Sequence, residues 1–301
     1  MEKMSIQGPI ILLLGATGQL GYTLLSSYKD SGLSVVQYDM RFFNEKKLND
    51  IVLQLKTFRE VVIINACAYT NVERAEIESD SAFFLNRDIP KKLANISLAN
   101  DVLLVHFSTD YVFDGEGSNA WKESDKPNPK NVYGLSKLQG EQAISSSHCR
   151  YLILRTSWLH SPYRKNFVKV MLNIGNLSKN LSVVYDQIGS PTSSLMLAEV
   201  TLASIRQVLI NPAMYGLYHV TGLGEVSRYD YAKFIFEESY KLGILNRVPV
   251  IIPVTTCNHS KSVYRPLNSR LNTHFFSDTF GLYLPSWEIG VRETLQKIAS
   301  R

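Results

Sequence analysis

Two side chains four residues apart, Tyr133 and Lys137, could together do acid–base chemistry. On a helix the i, i+4 spacing puts both on one face. An ammonium ~5 Å from a phenol, at an effective dielectric of ~20, is worth roughly 3 kcal/mol, or about two pKa units. A tyrosine shifted by that much can exchange its proton near neutral pH. The same spacing recurs at Tyr229 and Lys233, so context has to separate the pairs. Tyr133 follows an apolar run that ends in Ser108-Thr109, whereas Tyr229 stands beside Asp230 and Tyr231 in an ordinary amphipathic stretch. Hydroxyls at the carboxyl end of a buried strand lie where α/β folds collect their ligands. Ser108 or Thr109 could donate to a substrate carbonyl or align Tyr133. With the tyrosine and lysine they would form an oxyanion-type site suited to reducing a ketone.

Such a reduction needs a hydride donor, and the chain has a place for a dinucleotide. Gly15-Ala16-Thr17-Gly18-Gln19-Leu20-Gly21 is a G-x-x-G-x-x-G turn between an apolar run and a helical stretch. There the backbone N–H groups must approach a diphosphate, and a Cβ would obstruct them. Gly21 lets the helix pack closely on the strand. Asp39, 18 residues beyond Gly21, could accept hydrogen bonds from ribose hydroxyls, the NAD signature. Arg41, two residues on, could meet a 2′-phosphate instead, so either NADH or NADPH is expected.

These residues need a scaffold, and the sequence describes one. Ile10–Leu14, Val35–Tyr38, Val61–Ile64, Leu103–Phe107 and Leu152–Leu154 are short apolar runs. Continuous apolar strands are buried on both faces, as in a parallel sheet covered by helices. The stretches Leu20–Ser27, Leu48–Leu55, Pro90–Ala99 and Tyr133–Ile144 between them have helical spacing. The expected fold is a Rossmann-type doubly wound α/β sheet over residues 1–156, with a smaller mixed α/β substrate domain over 157–301. Strands or helices of the second are free to return to the first. Helices are expected there at Asn166–Asn176, Ser194–Val208, Arg228–Leu242 and Trp287–Ala299. No internal repeat is visible.

The chain has 301 residues, enough for about two domains. With 45% hydrophobic and 20% charged residues it falls in the globular range, which excludes disordered, collagen-like and coiled-coil classes. The net charge of +5 comes without a long basic run, so it suits an anionic small molecule better than nucleic acid. Cys67, Cys149 and Cys257 make no C-x-x-C pair, which points to reduced thiols. The first apolar run stops after five residues, far short of the ~20 that span a bilayer. No charged-then-apolar signal precedes it, so a soluble cytoplasmic protein without membrane partners is expected.

The glycine turn, Asn65-Ala66-Cys67-Ala68-Tyr69-Thr70, Ser108-Thr109-Asp110-Tyr111-Val112-Phe113 and Asn131-Val132-Tyr133-Gly134 resemble the extended short-chain dehydrogenase/reductases. Arg155-Thr156-Ser157-Trp158, Asp186-Gln187, Pro191-Thr192, Arg265-Pro266 and Asn268-Ser269-Arg270-Leu271 narrow the resemblance to the dTDP-4-dehydrorhamnose reductase family. The resemblance implies reduction of the C4 ketone of dTDP-4-dehydro-β-L-rhamnose to dTDP-L-rhamnose, a sugar nucleotide used in polysaccharide synthesis. In it Tyr133 gives the proton, Lys137 lowers the tyrosine's pKa and holds the nicotinamide ribose, and Thr109 polarises the carbonyl. The implied cofactor set is Gly15, Thr17, Gly18, Gln19, Leu20, Asp39, Arg41, Ala68, Tyr69 and Thr70 with Tyr133 and Lys137. Thr109, Asp110 and Trp158 would face the substrate. Arg265 and Arg270 could grip its diphosphate through bidentate guanidinium contacts.

Family members described as magnesium-linked dimers carry one Glu just after the glycine turn and another after the Pro-Thr pair. Here those stretches read Tyr22-Thr23-Leu24 and Ser194-Leu195-Met196, without a carboxylate. No metal is therefore expected, Mg²⁺ is doubtful, and the chain is a monomer or a homodimer. The related dehydratases carry Thr-Asp-Glu, but the third residue here is Tyr111, so the elimination base is missing. A reductase giving the C4 epimer, dTDP-6-deoxy-L-talose, and a non-catalytic NADP-binding regulatory subunit are the alternatives.

Overall fold

The computed structural model describes residues 8–177, 180–259 and 263–300. The apolar runs form strands β1 (Ile10–Leu14), β2 (Val35–Tyr38), β3 (Val61–Asn65), β4 (Leu103–Thr109) and β5 (Tyr151–Thr156). Every residue of β1, β3 and β4 is buried, because helices cover both faces of the sheet. The helices between them are α1 (Gln19–Asp30), α2 (Glu45–Lys56), α3 (Val72–Ala75), α4 (Ser79–Phe83), α5 (Ile89–Asn100) and α6 (Val132–Ser145). A π-helical turn, Phe84–Asp88, joins α4 to α5.

The second half continues with β6 (Leu159–His160), α7 (Phe167–Leu177), β7 (Asn180–Val184), β8 (Ile188–Gly189), β9 (Thr192–Ser193) and α8 (Ser194–Ile210). Next come β10 (Gly216–His219), β11 (Val226–Ser227), α9 (Arg228–Lys241) and β12 (Val250–Val254). The chain closes with α10 (Thr256–His259), β13 (Asn268–Ser269), α11 (His274–Phe280) and α12 (Trp287–Ala299).

The main sheet runs β10-β5-β4-β3-β1-β2, with every pair parallel. β2 lies on one side of β1 and β3 on the other, so the winding reverses at β1. Doubly wound sheets bind ligands outside the carboxyl ends of the strands at that reversal. Gly15, Cys67, Ser108 and Thr109 all stand at those ends.

The second half returns to this sheet in two ways. Strand β10 pairs with β5 from Gly216↔Leu152 to His219↔Arg155. Helix α8 packs on α1, where Tyr28 Oη donates to the Ala198 carbonyl at 3.0 Å and the Thr23 and Ser194 hydroxyls meet at 2.9 Å. One face of the sheet therefore shares a core with Leu197, Ile205, Tyr218 and Phe276. Each fully buried aliphatic there stabilises by about 2 kcal/mol. Beyond residue 156 the chain thus adds to the core of the first half. The second half also has its own core, built from Val168, Met171, Tyr231, Phe236, Trp287 and Val291. Two small sheets, β12-β7 and β11-β8-β13, flank it. Among the described residues no helix is long and apolar enough to cross a membrane.

Candidate active site

The glycine turn is shaped by close backbone approach. Gly15 adopts φ +84°, and a Cβ there would lie 2.6 Å from the Ala66 carbonyl carbon. A Cβ on Gly21 would lie 2.0 Å from the Gly15 oxygen. Helix α1 begins after Gly18, no side chain caps it, and its first turn has no acidic residue. Its leading N–H groups therefore face the crevice, the arrangement that attracts a phosphate. Gly18, Gln19 and Leu20 line that crevice together with Ala68, Thr70, Ser108, Tyr133 and Lys137, around a volume of ≈ 570 Å³.

Not every residue of the expected cofactor set lines it. Gly15 shapes the turn from behind. Thr17 is exposed, and its carbonyl accepts from Arg164 Nε at 2.9 Å. Tyr69 is held by Asn86, whose Oδ1 accepts from its backbone N–H at 2.8 Å, and its hydroxyl turns to Glu78. Asp39 and Arg41 pair with each other at the end of β2, with Arg41 Nη2 2.6 Å from Asp39 Oδ2. The guanidinium holds the Asp39 carboxyl below its usual pKa. The two opposed cues for NAD and NADP thus neutralise one another.

Tyr133 is the second residue of α6. Asn131 caps that helix by accepting from Gly134 N–H at 2.7 Å. A Cβ on Gly134 would sit 2.1 Å from the Tyr111 carbonyl oxygen, so glycine lets α6 lie against the turn after β4. That contact brings the Tyr111 and Tyr133 rings edge to face, 5.5 Å apart. Thr109 lies near enough to the Tyr133 hydroxyl to lower its pKa, and Thr109 Oγ1 donates to Asp110 Oδ1 at 3.1 Å. Tyrosine, threonine and aspartate thus line one crevice.

The lysine does not do what its spacing suggests. Lys137 Nζ lies 3.0 Å from His106 Nε2 and donates to the Phe107 carbonyl at 2.6 Å. Burial pulls its pKa down to about 8, against the raising influence of Glu141 and Cys67. Tyr133 is pushed above its ordinary pKa, first by burial and then by the charge on Asp110 and by Tyr111, while Thr109 offsets part of the rise. Burial thus dominates at the phenol, and the lysine is turned to β4. The phenol keeps its proton at neutral pH, which is the form that a ketone reduction consumes.

Residues that the spacing did not reveal hold this lysine. Asn65 Oδ1 accepts from Cys67 N–H at 3.1 Å, so its amide donates to His106 Nδ1, also at 3.1 Å. That leaves the Nε2 proton facing Lys137, which as an ammonium cannot accept it, so the Phe107 carbonyl is the hydrogen-bond partner that holds the lysine. Burial, with the lysine charge added, pushes the His106 pKa well down, which keeps the ring neutral. Asn86 ties the cofactor loop to α6 by bonding both Tyr69 and Ser136. Arg155 and Glu141 form a buried pair at 2.6 Å, one turn beyond Lys137. A polar residue inside an apolar strand, His106 in LLVHFST, was the only local signal of this network.

Four buried polar atoms on the crevice wall, Gln19 Oε1, Ser108 Oγ, Asp110 Oδ2 and Thr156 Oγ1, have no hydrogen-bond partner among the described residues. An unmet buried polar atom costs about 1–3 kcal/mol. Four along one crevice describe a surface that finds its partners in a ligand. Asp110 is pushed up to about 6 by burial, with the Ser269 and Thr109 hydroxyls and Arg228 pulling the other way.

Next to the crevice lies a larger cavity of ≈ 990 Å³ walled by Phe167, Met171, Ile174 and Val183, with Asp186, Gln187 and Arg265 at its polar side. Arg265 lines it while pairing with Glu73. Arg270 does not: its Nε lies 2.6 Å from Glu225 Oε2 and it lines neither space, so an ion pair takes the place of the expected diphosphate contact. Trp158 lines the crevice in a left-handed conformation, φ +47°. Arg228, which the motifs did not single out, lines both spaces.

Comparison with known proteins agrees with this geometry. The family described as the RmlD substrate binding domain matches residues 10–300. The dTDP-4-dehydrorhamnose reductase of Salmonella typhimurium is 39% identical over 295 residues, which cover 96% of this chain and 97% of that protein. A spore coat polysaccharide biosynthesis protein of Bacillus subtilis is 33% identical over 290 residues, 96% of this chain and 98% of its own. The crystal structure of dTDP-4-dehydrorhamnose reductase from Bacillus anthracis in complex with NADP superposes with a TM-score of 0.86 at 32% identity, covering 97% of this chain and 100% of that one. With a matched family spanning nearly its whole length and full-length relatives above 30% identity, the chain belongs to the RmlD substrate binding domain family, that of the dTDP-4-dehydrorhamnose reductases.

Proposed function

We propose that the protein reduces the C4 ketone of dTDP-4-dehydro-β-L-rhamnose to dTDP-L-rhamnose, using NADPH or NADH. The observation that carries this reading is the convergence of Tyr133, Thr109 and Asp110 at the carboxyl end of β4, inside a crevice that opens on the glycine turn. The residues present suit a dinucleotide: a turn that a Cβ would fill, an uncapped helix start and unpartnered polar atoms along the wall. Gly18, Gln19 and Leu20 would hold the diphosphate, Ala68 and Thr70 the far half, and Lys137 the nicotinamide ribose. When bound, the cofactor supplies the hydride. The mutual pairing of Asp39 with Arg41 supports use of either cofactor.

Tyr133 donates its proton to the developing C4 alkoxide, and its raised pKa keeps that proton available throughout the physiological range. Thr109 aligns the phenol and polarises the ketone. Lys137, whose ammonium donates to the Phe107 carbonyl, stays on the crevice wall to meet the nicotinamide ribose. Asp110, with one oxygen unpartnered, accepts from a sugar hydroxyl. Trp158 walls the sugar site, and the apolar cavity beyond it takes the nucleoside. Such a reaction belongs in the cytoplasm, where Cys67, Cys149 and Cys257 stay reduced; no disulfide occurs among the described residues.

The test is direct. Purified protein given dTDP-4-dehydro-β-L-rhamnose should consume NADPH, and NMR should identify the product as dTDP-L-rhamnose. Tyr133→Phe should lose about 10²- to 10⁴-fold in turnover, the usual contribution of a positioned acid. Full activity in that variant would overturn the reading. NMR signals of the talose epimer would change the product assignment.

A further inference from the structure

We infer that Arg228 anchors the diphosphate of the sugar nucleotide and so sets where the sugar lies against Tyr133; the inference rests on the reductase reading above. Arg228 opens α9, with its backbone N–H donating to the Gln187 carbonyl at 3.0 Å. Its guanidinium carbon lies 3.6 Å over the Trp158 ring and 4.9 Å from the Phe167 ring centre. Stacking through its faces leaves the N–H edges of the fork available.

Among the described residues no carboxylate takes up those edges. Arg265 pairs with Glu73, Arg270 with Glu225 and Arg155 with Glu141, whereas Arg228 has no ion pair or side-chain hydrogen bond among the described residues. It feels Asp110, Tyr111 and Tyr231 only through space, and the like charge of Arg265 lies within reach. A partly buried cation with its donors unmet is costly unless an anion completes it.

Its position selects the anion. Arg228 lines the catalytic crevice and also the ≈ 990 Å³ cavity, so it stands at the passage between them. A sugar nucleotide with its sugar at Tyr133 and its nucleoside in the cavity must thread its diphosphate through that passage. The planar fork matches a phosphate bidentately. Arg265 serves as a second contact, weakened by Glu73.

The test compares dTDP with thymidine by titration calorimetry, in wild type, Arg228→Gln and Arg228→Lys. Loss of charge-assisted contacts should weaken dTDP binding about tenfold to a hundredfold in Arg228→Gln, with Arg228→Lys in between. Thymidine and NADPH affinities should not change. A purely structural role would weaken thymidine and dTDP alike, and that result overturns the inference, as does unchanged dTDP binding in Arg228→Gln. NADPH binding and thermal unfolding report whether each variant is folded, and Arg228→Lys keeps the comparison open if Arg228→Gln is not. Arg228-dependent dTDP binding without ketone reduction would sink the reaction and leave the anchor standing. Reduction with dTDP binding indifferent to Arg228 would do the reverse.

Discussion

Asp110 is the residue at which function costs stability, and replacing it with asparagine should show how much. Its carboxyl is 2% exposed, one oxygen is unpartnered, and its pKa is pushed from 3.8 up to about 6. A folded-state pKa above the unfolded one means that the protonated group stabilises and the ionised group opposes folding. The contribution is fully present below about pH 4 and is lost as pH rises through about 6. Two pKa units amount to about 3 kcal/mol. Asp110→Asn, which cannot ionise, should therefore gain on wild type as pH rises. The gap in stability should open between about pH 4 and 6 and stay level above about 6.5. For a chain of this size it corresponds to roughly 5 °C in Tm. The altered bond to Thr109 adds an offset that does not depend on pH, so the diagnostic is the change in the gap and not its absolute size. Thermal unfolding of both proteins at pH 4, 5, 6 and 7.5 measures it. A gap that stays flat across this range would refute the reasoning, since the carboxyl would then ionise as it does in water. Turnover should fall in the same variant, because an amide is a poorer acceptor for a sugar hydroxyl.

Two further outcomes follow from other parts of the structure. Arg155→Met should leave Glu141 buried and uncompensated beneath α6, at a cost of about 3–5 kcal/mol, read as a lowered unfolding temperature; an unchanged Tm would mean that water reaches the carboxylate. Chelation with EDTA should alter neither turnover nor the mass in solution. Tyr22-Thr23-Leu24 and Ser194-Leu195-Met196 do meet, on α1 and α8, but through the Thr23 and Ser194 hydroxyls of one chain. Hard cations need a richer oxygen set than two hydroxyls. Activity lost to EDTA and restored by Mg²⁺ would contradict this.

Much of the scaffold was legible along the chain. The run Ile10–Leu14 is strand β1, Val35–Tyr38 is β2, and Trp287–Ala299 is a helix to the residue. The stretch Tyr133–Ile144 lies within α6, and β4 and β5 extend only a few residues past their apolar cores. Periodicity, glycine at a turn and hydroxyls at a strand end are local signals, and local signals survive in a linear string. The glycine turn and the pairing of Tyr133 with Thr109 rest on such signals, whereas Asp110 came from the family resemblance.

What only the tertiary structure decided involves partners distant in sequence. Strand β10 joins β5 across some sixty residues, and nothing in Gly216–His219 names its neighbour. Lys137 donates to the Phe107 carbonyl on β4, and its burial carries a desolvation cost that spacing on a helix cannot express. Arg270 is spent on Glu225, and Arg228 meets no carboxylate among the described residues where it stands between two spaces. Charges that look equivalent in a sequence acquire different roles only when folding assigns carboxylates to some and an open passage to another. The sequence by itself determined which chemistry the chain carries; packing determined where each charge goes, because desolvation and long-range pairing exist only in the folded molecule.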